Sequence, residues 1–375
     1  MRVFSSLQLL SLAFGVSAIE QRDATLAYNQ LQTWYNQSIG LWIPSTGWWN
    51  SANCLTVVAN LATTDAAVAG KAEAVYDNTF YKAQEYNLQM QKTDEAPMYL
   101  VQSHHGAHLP KHKTTGFLND YYDDEGWWAL AWIAVYDVTG DRKYLRTAES
   151  IFEDMAKAYG TTPCGGLWWS KERTYVNAIA NELFLDVAAH LANRAGAKSD
   201  YYLDYAKREW SWFKRSGMIN SQNLINDGLD NATCENNGGT VWSYNQGVVL
   251  GGLTELSRAT DDARYVTKAK IIADAAIANL TDSNGILHDV CEPDCGADGS
   301  QFKGVFARNL QILQQYSPET RYATFLEHNA DSIWKYDRSR RGNKLSLIWS
   351  GPFIKPANAS TQSSAMDALI AALAT

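Results

Sequence analysis

The chain has 375 residues, enough for one large domain or two ordinary ones, and its formal net charge at pH 7 is −8. Phosphate binding needs clustered Lys and Arg, so this charge argues against a nucleic-acid partner and equally against an acidic polysaccharide. The 14 Trp and 20 Tyr are a high aromatic content. Their flat, stiff rings suit core packing, and they also suit stacking against the C–H faces of sugars.

Residues 1–18 have the layout of a signal peptide. One Arg precedes an apolar stretch, residues 7–16, which runs into the small-residue pattern that ends at Ala18. We expect cleavage after Ala18, which leaves residues 19–375 as a single exported domain. The apolar stretch is too short for a spanning helix, and no later segment reaches the roughly 18 apolar residues that such a helix requires. The sequence predicts a protein of the cell wall or the medium, without stable membrane insertion.

The N-x-S/T sequons and the cysteines also fit an oxidising secretory route. The four sequons, which are candidate glycosylation sites, begin at Asn36, Asn231, Asn279 and Asn358. Five cysteines allow one or two disulfides and leave one thiol over. We expect a bridge between two of the three cysteines that lie in Gly-, Asn- and Asp-rich loops, namely Cys234, Cys291 and Cys295. Cys54 falls in an apolar helical run. Metal binding by CEPDC, residues 291–295, is disfavoured because no second Cys/His pair of suitable spacing accompanies it.

A motif of aromatic residues and Gly, followed by a long apolar helical pattern, recurs along the chain. Clear copies begin at Thr46, Asp123, Gly165 and Gly239, and weaker copies begin at Gln301 and Ile348. More polar helical stretches lie between them, such as residues 141–160, 198–217 and 262–280. Strand-like alternation is almost absent, so the pattern predicts an all-α fold.

The count is about twelve helices in six alternating pairs, with the apolar member of each pair inside. A helical hairpin cannot bury its apolar face alone, so we expect the six hairpins to close into an (α/α)6 barrel. An open solenoid is the alternative, which the lack of polar capping repeats disfavours. Both arrangements bring the aromatic motifs to one end, where they line a shared cleft. The final segment, residues 365–375, is predicted to be the twelfth helix instead of a lipid-anchor signal, because it carries Asp367 and lacks a polar spacer.

The segment NDYYDDEGWW, residues 119–128, places four acidic groups at the start of an apolar helix. The helix dipole and capping favour acids there, but four exceed what capping needs. Asp123 and Asp124 lie between Tyr122 and two tryptophans, where partial burial makes neighbouring carboxylates repel each other. That repulsion keeps one of them protonated while the other is ionised, as glycoside hydrolysis requires. Consecutive helical positions favour the short separation of a retaining enzyme.

The sequence resembles glycoside hydrolase family 76, the endo-α-1,6-mannanases and their fungal cell-wall relatives. The resemblance rests on four segments, which are NDYYDDEGWWALAWI from Asn119, GGLWWS with NAIANELFL from Gly165, WSYNQGVVLGGL from Trp242 and QFKGVFARNL from Gln301. It implies an (α/α)6 barrel and a retaining mechanism, with Asp123 as nucleophile and Asp124 as acid/base. Its implied substrate is α-1,6-mannan or a manno-oligosaccharide.

Mannan is neutral and rich in hydroxyls, so its binding site needs stacking planes and polar groups more than charge. The candidate planes, for which packing between helix ends is an equal alternative, are Trp127, Trp128, Trp169 and Tyr244. The candidate hydroxyl-binding groups, some of which could instead end helices or form turns, are Asn177, Asn245, Asp227 and Arg308. No metal or other cofactor is expected, because the histidine-rich segment, residues 104–112, contains helix-breaking Gly106 and Pro110 and is predicted to be a solvated loop. WWSKER, residues 168–173, is likewise interpreted as a solvated face.

Two other functions remain open at this point. A cell-wall transglycosidase would use the same two aspartates but would pass the mannosyl group to a sugar instead of water. The interpretation of the final segment as a helix and not a lipid-anchor signal favours a freely secreted hydrolase. We expect this hydrolase to be a monomer. A non-catalytic mannan-binding protein would keep the aromatic cleft and lose an aspartate, whereas this sequence has both.

Overall fold

The computed structural model describes residues 19–86 and 116–375. These residues form twelve α-helices and only isolated β-bridges. In chain order the helices are α1 Gln21–Gln32, α2 Trp48–Ala62, α3 Ala66–Lys82, α4 Tyr122–Thr139, α5 Arg142–Ala158, α6 Ala178–Ala192, α7 Ser199–Phe213, α8 Ser243–Thr260, α9 Ala263–Asn279, α10 Phe302–Tyr316, α11 Thr320–Ser332 and α12 Ala359–Leu373. None of these twelve helices has the length and apolarity needed to cross a bilayer. The predicted signal peptide and the histidine-rich segment lie outside the described residues.

The even-numbered helices form a closed inner ring. Each packs against the next even-numbered helix along the chain, and α12 completes the ring by packing against α2. The odd-numbered helices form an outer layer, in which each packs against at least one inner helix. The predicted (α/α)6 barrel is therefore confirmed, and the open solenoid is wrong. The final segment is helix α12 of the inner ring, as predicted.

The two layers differ as their sequences require. All but one residue of inner helix α6 are buried, which matches its apolar composition on every face. Outer helix α5 instead buries a stripe at helical spacing, formed by Tyr144, Leu145, Ala148, Ile151, Phe152 and Met155. Three outer helices begin at an aspartate whose carboxylate accepts backbone N–H groups of the first turn, namely Asp65, Asp141 and Asp262.

The connections are short at one end of the barrel and long at the other. Short connections lead from an inner helix to the next outer helix, as at residues 63–65, 140–141 and 261–262. The described connections that lead back to an inner helix are long, and they span residues 33–47, 159–177, 214–242, 280–301 and 333–358. All of these long segments meet the N-terminal ends of inner helices. That end therefore carries the aromatic motifs together, as the sequence predicted.

Two disulfides lie in these long connections. Cys291 and Cys295 are bridged just before α10, which confirms the expected pairing within the loop cysteines. Cys234 pairs with Cys164 and so links the connection before α8 to the one before α6, a pairing that the sequence analysis did not predict. Cys54 is the free thiol and is buried within α2.

Candidate functional site

The acidic cluster forms the first turn of α4. Asp123 and Asp124 are both buried, with 6% and 3% of their surface exposed. The N-cap residue of α4 is Tyr121, whose side chain makes no capping hydrogen bond. Asp123 and Asp124 are the second and third residues of the helix, so neither of them is the N-cap residue. They lie at the N-terminal end of α4, where the helix dipole is positive.

Asp123 is held by an indole ring. The Trp169 Nε1–H donates to Asp123 Oδ2 at 3.1 Å. Backbone bonds fix Trp169 in turn, because Tyr122 N donates to its carbonyl at 2.9 Å and its own N–H donates to Tyr175 O at 2.8 Å. The Trp169 ring packs against Tyr121 with centroids 5.1 Å apart, and it stays partly exposed. Trp169 thus restricts the rotation of Asp123 and presents part of its ring to the cleft.

Asp124 is held by an amide. Asn119 Nδ2 donates to Asp124 Oδ2 at 3.0 Å, and Asn119 is itself 3% exposed. Asn119 was not among the candidate residues, although it opens the segment that identified the aspartate pair. Asparagine is common near helix starts because it caps them. The presence of an asparagine at position 119 therefore did not indicate a role in the site.

A third carboxylate, Asp227, shares the cleft. The Tyr175 hydroxyl donates to Asp227 Oδ2 at 2.7 Å, and Ala178 N, the first residue of α6, donates to the Asp227 carbonyl at 2.7 Å. Burial raises the pKa of Asp227; the Tyr175 hydrogen bond opposes this rise, and the charge on Asp123 adds to it. The charge on Asp123 thus acts on Asp227, and the role of Asp227 as a substrate-binding group stays a prediction.

Buried rings form one wall of the same region. Tyr244 stacks on Phe302 with centroids 3.7 Å apart, and Trp127 stacks on Trp49 with centroids 5.5 Å apart. The Trp49 indole N–H donates to Asp298 Oδ1 at 2.6 Å. Trp49 and Asp298 were not predicted as site residues, although Trp49 belongs to the first copy of the aromatic motif. Trp127 is only 2% exposed, so it contributes shape to the wall more than an open ring face.

The hydroxyl of Tyr244 is neutral at the site. Burial raises its pKa well above the ordinary value, and the negative charges of Asp227, Asp123 and Asp298 raise it further. One face of the Tyr244 ring is covered by Phe302. Tyr244 therefore enters the site as a buried phenol beside carboxylates, in place of the open stacking plane that the sequence analysis suggested.

Trp128 belongs to the core. It is fully buried, and its ring packs within 6 Å of three other rings, those of Trp48, Phe117 and Trp132. A ring with no exposed face offers no plane to a sugar. Trp128 is therefore a packing residue of the core, which was the alternative to sugar stacking. We remove Trp128 from the candidate stacking residues.

Two polar candidates occupy structural positions. Asn177 caps α6, because its Oδ1 accepts the Ala180 N–H at 3.3 Å. Arg308 lies about 9 Å along α10 from the start of that helix, where its Nη1 donates to Asp367 Oδ2 at 3.0 Å. We do not include these two residues among the proposed sugar contacts.

Asn245 is buried in the first turn of α8. Neither its Oδ1 nor its Nδ2 has a hydrogen-bond partner among the described residues. Its role in binding sugar hydroxyls stays a prediction.

The next acid of the same turn, Glu125, contacts a lysine. The Glu125 carboxylate is fully buried, and its Oε1 accepts from Lys171 Nζ at 2.8 Å. Lys171 Nζ also lies 2.8 Å from Asp154 Oδ2. Burial raises the pKa of Glu125 to about 8, although Lys171 opposes this rise. The interpretation of WWSKER as a solvated face holds for Lys171, Glu172 and Arg173, which are exposed, but it is wrong for Trp168 and Ser170, which are buried.

The open end of the barrel thus has two adjacent buried carboxylates, a third carboxylate nearby and partly exposed indole and phenol rings. This combination suits acid/base and nucleophilic chemistry on a neutral sugar chain. The chain belongs to glycosyl hydrolase family 76, whose sequence model matches residues 18–375.

Two curated relatives come from Candida albicans. The chain is 24% identical to mannan endo-1,6-alpha-mannosidase DFG5 over 80% of its own length and 66% of the relative. It is 29% identical to mannan endo-1,6-alpha-mannosidase DCW1 over 53% of its own length and 48% of the relative. The matches thus span between about half and two thirds of the length of these relatives.

Solved structures share the fold at low sequence identity. The α-1,6-mannanase of Salegentibacter sp. HEL1_6 superposes with a TM-score of 0.75 at 19% identity, and covers 94% of this chain and 98% of that one. Dfg5 from Chaetomium thermophilum, in complex with glucosamine, gives a TM-score of 0.73 at 19% identity, with 94% and 89% covered. These likenesses establish the architecture of the barrel.

Proposed function

We propose that this chain is a secreted, retaining glycoside hydrolase that cleaves α-1,6-mannosidic linkages in mannan. The observation that carries the proposal is the burial of two consecutive aspartates, Asp123 and Asp124, at the cleft end of the barrel. The names of the curated relatives support the linkage and the substrate. An inactive variant of the Salegentibacter mannanase, in which two consecutive aspartates are replaced by asparagine, was crystallised with α-1,6-mannotriose.

The proposed reaction has two steps. In the first, an oxygen of Asp123 attacks the anomeric carbon while Asp124 gives its proton to the departing glycosidic oxygen. This forms a covalent mannosyl-enzyme. In the second step Asp124 takes a proton from water, and the resulting attack releases the sugar with its original α configuration. The Trp169 hydrogen bond fixes the orientation of Asp123 during both steps.

We propose sugar contacts at the cleft residues that keep exposed surface. Trp169 and Tyr121 are partly exposed and lie beside Asp123, so their rings can meet the apolar face of a mannose unit. Asp227 is also a partly exposed residue, and carboxyl oxygens accept from sugar hydroxyls. The buried residues Trp127 and Tyr244 shape the wall behind these contacts.

Secretion is part of the proposal. The signal-peptide layout of residues 1–18 and the two disulfides both suit an oxidising export route. Among the sequon asparagines, Asn279 is exposed at the last position of α9 and can carry a glycan without displacing a neighbour. Treatment of the secreted protein with an N-glycosidase is expected to lower its apparent mass.

Incubation with unbranched α-1,6-mannan tests the activity and the mechanism together. Size analysis should show shortened chains, and NMR before mutarotation should show the α-anomer as the first product. Initial β-anomer would mean inversion and would move the attacking role from Asp123 to water. Asp123→Asn should lower turnover by about a thousandfold or more because the amide cannot form the covalent intermediate. Asp120→Asn, on an exposed neighbour in the same segment, is the matched control and should retain activity.

A transglycosidase is the second candidate. The relative Dfg5 from Chaetomium thermophilum was crystallised with glucosamine, which is a sugar other than mannose. The same two aspartates would serve, and a sugar hydroxyl would replace water in the second step. Adding isotope-labelled α-1,6-mannobiose as acceptor separates the two functions, because transfer puts the label into products longer than mannobiose, whereas hydrolysis leaves the labelled sugar at its original size or shorter. A non-catalytic mannan-binding protein would bind the polymer and leave its size unchanged.

A further inference from the structure

We propose that Asn119 is the positioning residue for Asp124 and determines which of the two carboxyl oxygens carries the transferable proton. This inference rests on the proposed function, in which Asp124 is the acid/base. It concerns a residue that does not attack the sugar and that acts through its contact with Asp124.

The orientation of the Asn119 amide is fixed by its neighbours. The Tyr121 backbone N–H donates to Asn119 Oδ1 at 2.8 Å. A backbone N–H can only donate, so the oxygen end of the amide must face Tyr121. The NH₂ end then faces Asp124, where Nδ2 lies 3.0 Å from Oδ2. The amide cannot turn over without placing two donors, or two acceptors, against each other.

Asn119 itself is anchored to the first turn of α4. Its backbone N–H donates to Glu125 Oε1 at 2.9 Å, and the same oxygen accepts from Lys171 Nζ at 2.8 Å. Asn119 and Glu125 are buried, at 3% and 0% exposure. The hydrogen bond from Asn119 to Glu125 therefore fixes the segment before α4 against the first turn of that helix. Lys171 comes from the connection before α6, so this anchor also joins two of the segments that surround the cleft.

The donor at Oδ2 has a consequence for the proton. The carbonyl oxygen of a carboxylic acid is a better acceptor than its hydroxyl oxygen, so an N–H that points at Oδ2 favours the acid form of Asp124 with its proton on Oδ1. In the first step the Oδ1–H bond breaks and the proton passes to the glycosidic oxygen, as the bond to the anomeric carbon breaks and the Asp123 ester forms. The Asn119 donor stabilises the carboxylate that remains. In the second step Oδ1 takes a proton from water.

The test compares Asn119→Leu with the wild-type protein. Leu keeps the approximate volume and removes the donor, so kcat/KM on α-1,6-mannan should fall by about 10- to 100-fold. The alkaline limb of the pH profile, on which Asp124 must be protonated, should move to higher pH because its carboxylate loses a donor. An aryl α-1,6-mannobioside with a good leaving group needs little proton donation. Its rate of forming the covalent intermediate should therefore fall less than the rate on mannan.

A second variant and a control keep the test decisive. Asn119→Asp retains the acceptor for the Tyr121 N–H and puts a second carboxyl beside Asp124, so the alkaline limb should move to higher pH by a larger amount. Asn193→Leu is the matched exchange at the opposite end of the barrel, where the Asn193 amide donates to Glu255 Oε2 at 2.8 Å. It lowers stability through a lost hydrogen bond and should leave the pH profile in place.

The outcomes separate this inference from the proposed function. An unmoved alkaline limb in Asn119→Asp, together with equal losses on mannan and on the aryl substrate in Asn119→Leu, would overturn the role of Asn119. Asp124→Asn with wild-type activity on mannan would instead overturn the acid/base assignment itself. Loss of activity in Asp124→Asn with unchanged Asn119 variants would leave the proposed function standing and remove only the inference.

Discussion

At the scale of single residues, Asp123 and Asp124 differ through their partners. An indole N–H holds the first and a side-chain amide holds the second. Glu125, the third acid of the same turn, is directed away into an ion pair with Lys171. Three acids in sequence thus acquire three environments. Their spacing along a helix separates them by roughly 100° each, and the connection before α6 supplies both Trp169 and Lys171.

The two indole rings Trp128 and Trp169 should respond in opposite ways to truncation. Trp128→Ala removes a fully buried ring and should cost about 3–5 kcal/mol of stability, with little change in mannan affinity of the folded protein. Trp169→Ala removes a partly exposed ring and should weaken mannan binding by about tenfold with a smaller loss of stability. Calorimetric binding in the Asp123→Asn background, which prevents turnover, and thermal unfolding give both quantities. Equal affinity losses in the two variants would contradict the assignment.

The sequence could not separate these two rings. Both end a Trp-Trp pair, Trp127-Trp128 in one case and Trp168-Trp169 in the other. In α4 the second ring turns toward the core, whereas Trp169 lies in an irregular connection that turns it toward Asp123. Tryptophan is common both in protein cores and at sugar-binding surfaces. The periodicity of apolar residues therefore could not tell which of the two rings is buried.

At the scale of elements, the inner helices approach each other through small residues. A Cβ on Gly247 of α8 would lie 2.6 Å from the Phe306 Cα of α10. A Cβ on Gly304 of α10 would lie 2.5 Å from the Ser364 Cα of α12. At both positions the added Cβ would meet backbone atoms of the neighbouring helix. Backbone atoms cannot move aside as the end of a flexible side chain can. The glycines therefore set how closely the inner ring closes.

Gly247→Ala should separate α8 from α10 and lower the free energy of unfolding by about 2 kcal/mol. Gly70→Ala is the control, because a Cβ at that position of α3 meets nothing within 4 Å. Alanine there should raise stability by up to about 1 kcal/mol through helix propensity. Chemical denaturation of both variants measures the contrast. A neutral effect of Gly247→Ala would show that the ring can relax at this contact.

The arrangement of helices was open to prediction because it follows from local patterns. Apolar and polar helices alternate, and every described long connection precedes an inner helix, so the cleft end could be assigned from the aromatic motifs. The partner of Arg308 could not be assigned in this way. Its ion pair with Asp367 joins α10 to α12 across 59 positions of sequence. The sequence around a polar residue on an apolar helix is the same whether that residue binds a substrate or a side chain that is distant in sequence.

At the scale of the whole molecule, the barrel buries more acidic groups than the proposed reaction uses. Among the carboxyls whose pKa is raised by burial are Asp289, to about 6, and Asp337 and Asp367, each to about 7. Hydrogen bonds from Ser243 oppose the rise at Asp289, and bonds from Ser346 oppose it at Asp337. With Glu125, these groups link the stability of the fold to pH.

The sign of that linkage follows from the direction of the shifts. A carboxyl whose pKa is higher in the folded protein than in the unfolded chain binds its proton more tightly when folded. Its contribution is fully present below the unfolded pKa, near 4, and is lost as the pH rises through the folded values of about 6 to 8. Glu255 behaves in the opposite way, because His190 and Arg194 lower its pKa to about 2 despite its burial. Its contribution is lost only as the pH falls below about 4.

The melting temperature should therefore be highest near pH 4 and should fall by on the order of 5 °C between pH 5 and pH 8. Asp337→Asn keeps an acceptor for the Ser346 N–H and cannot ionise, so it should flatten the slope between about pH 5 and pH 7. Asp204→Asn, at a side chain that is 66% exposed, is the matched control and should leave the slope unchanged. Thermal unfolding of the three proteins across this range measures the effect. A melting temperature that rises toward pH 8 would mean that the buried carboxyls ionise on folding without the penalty that their burial implies.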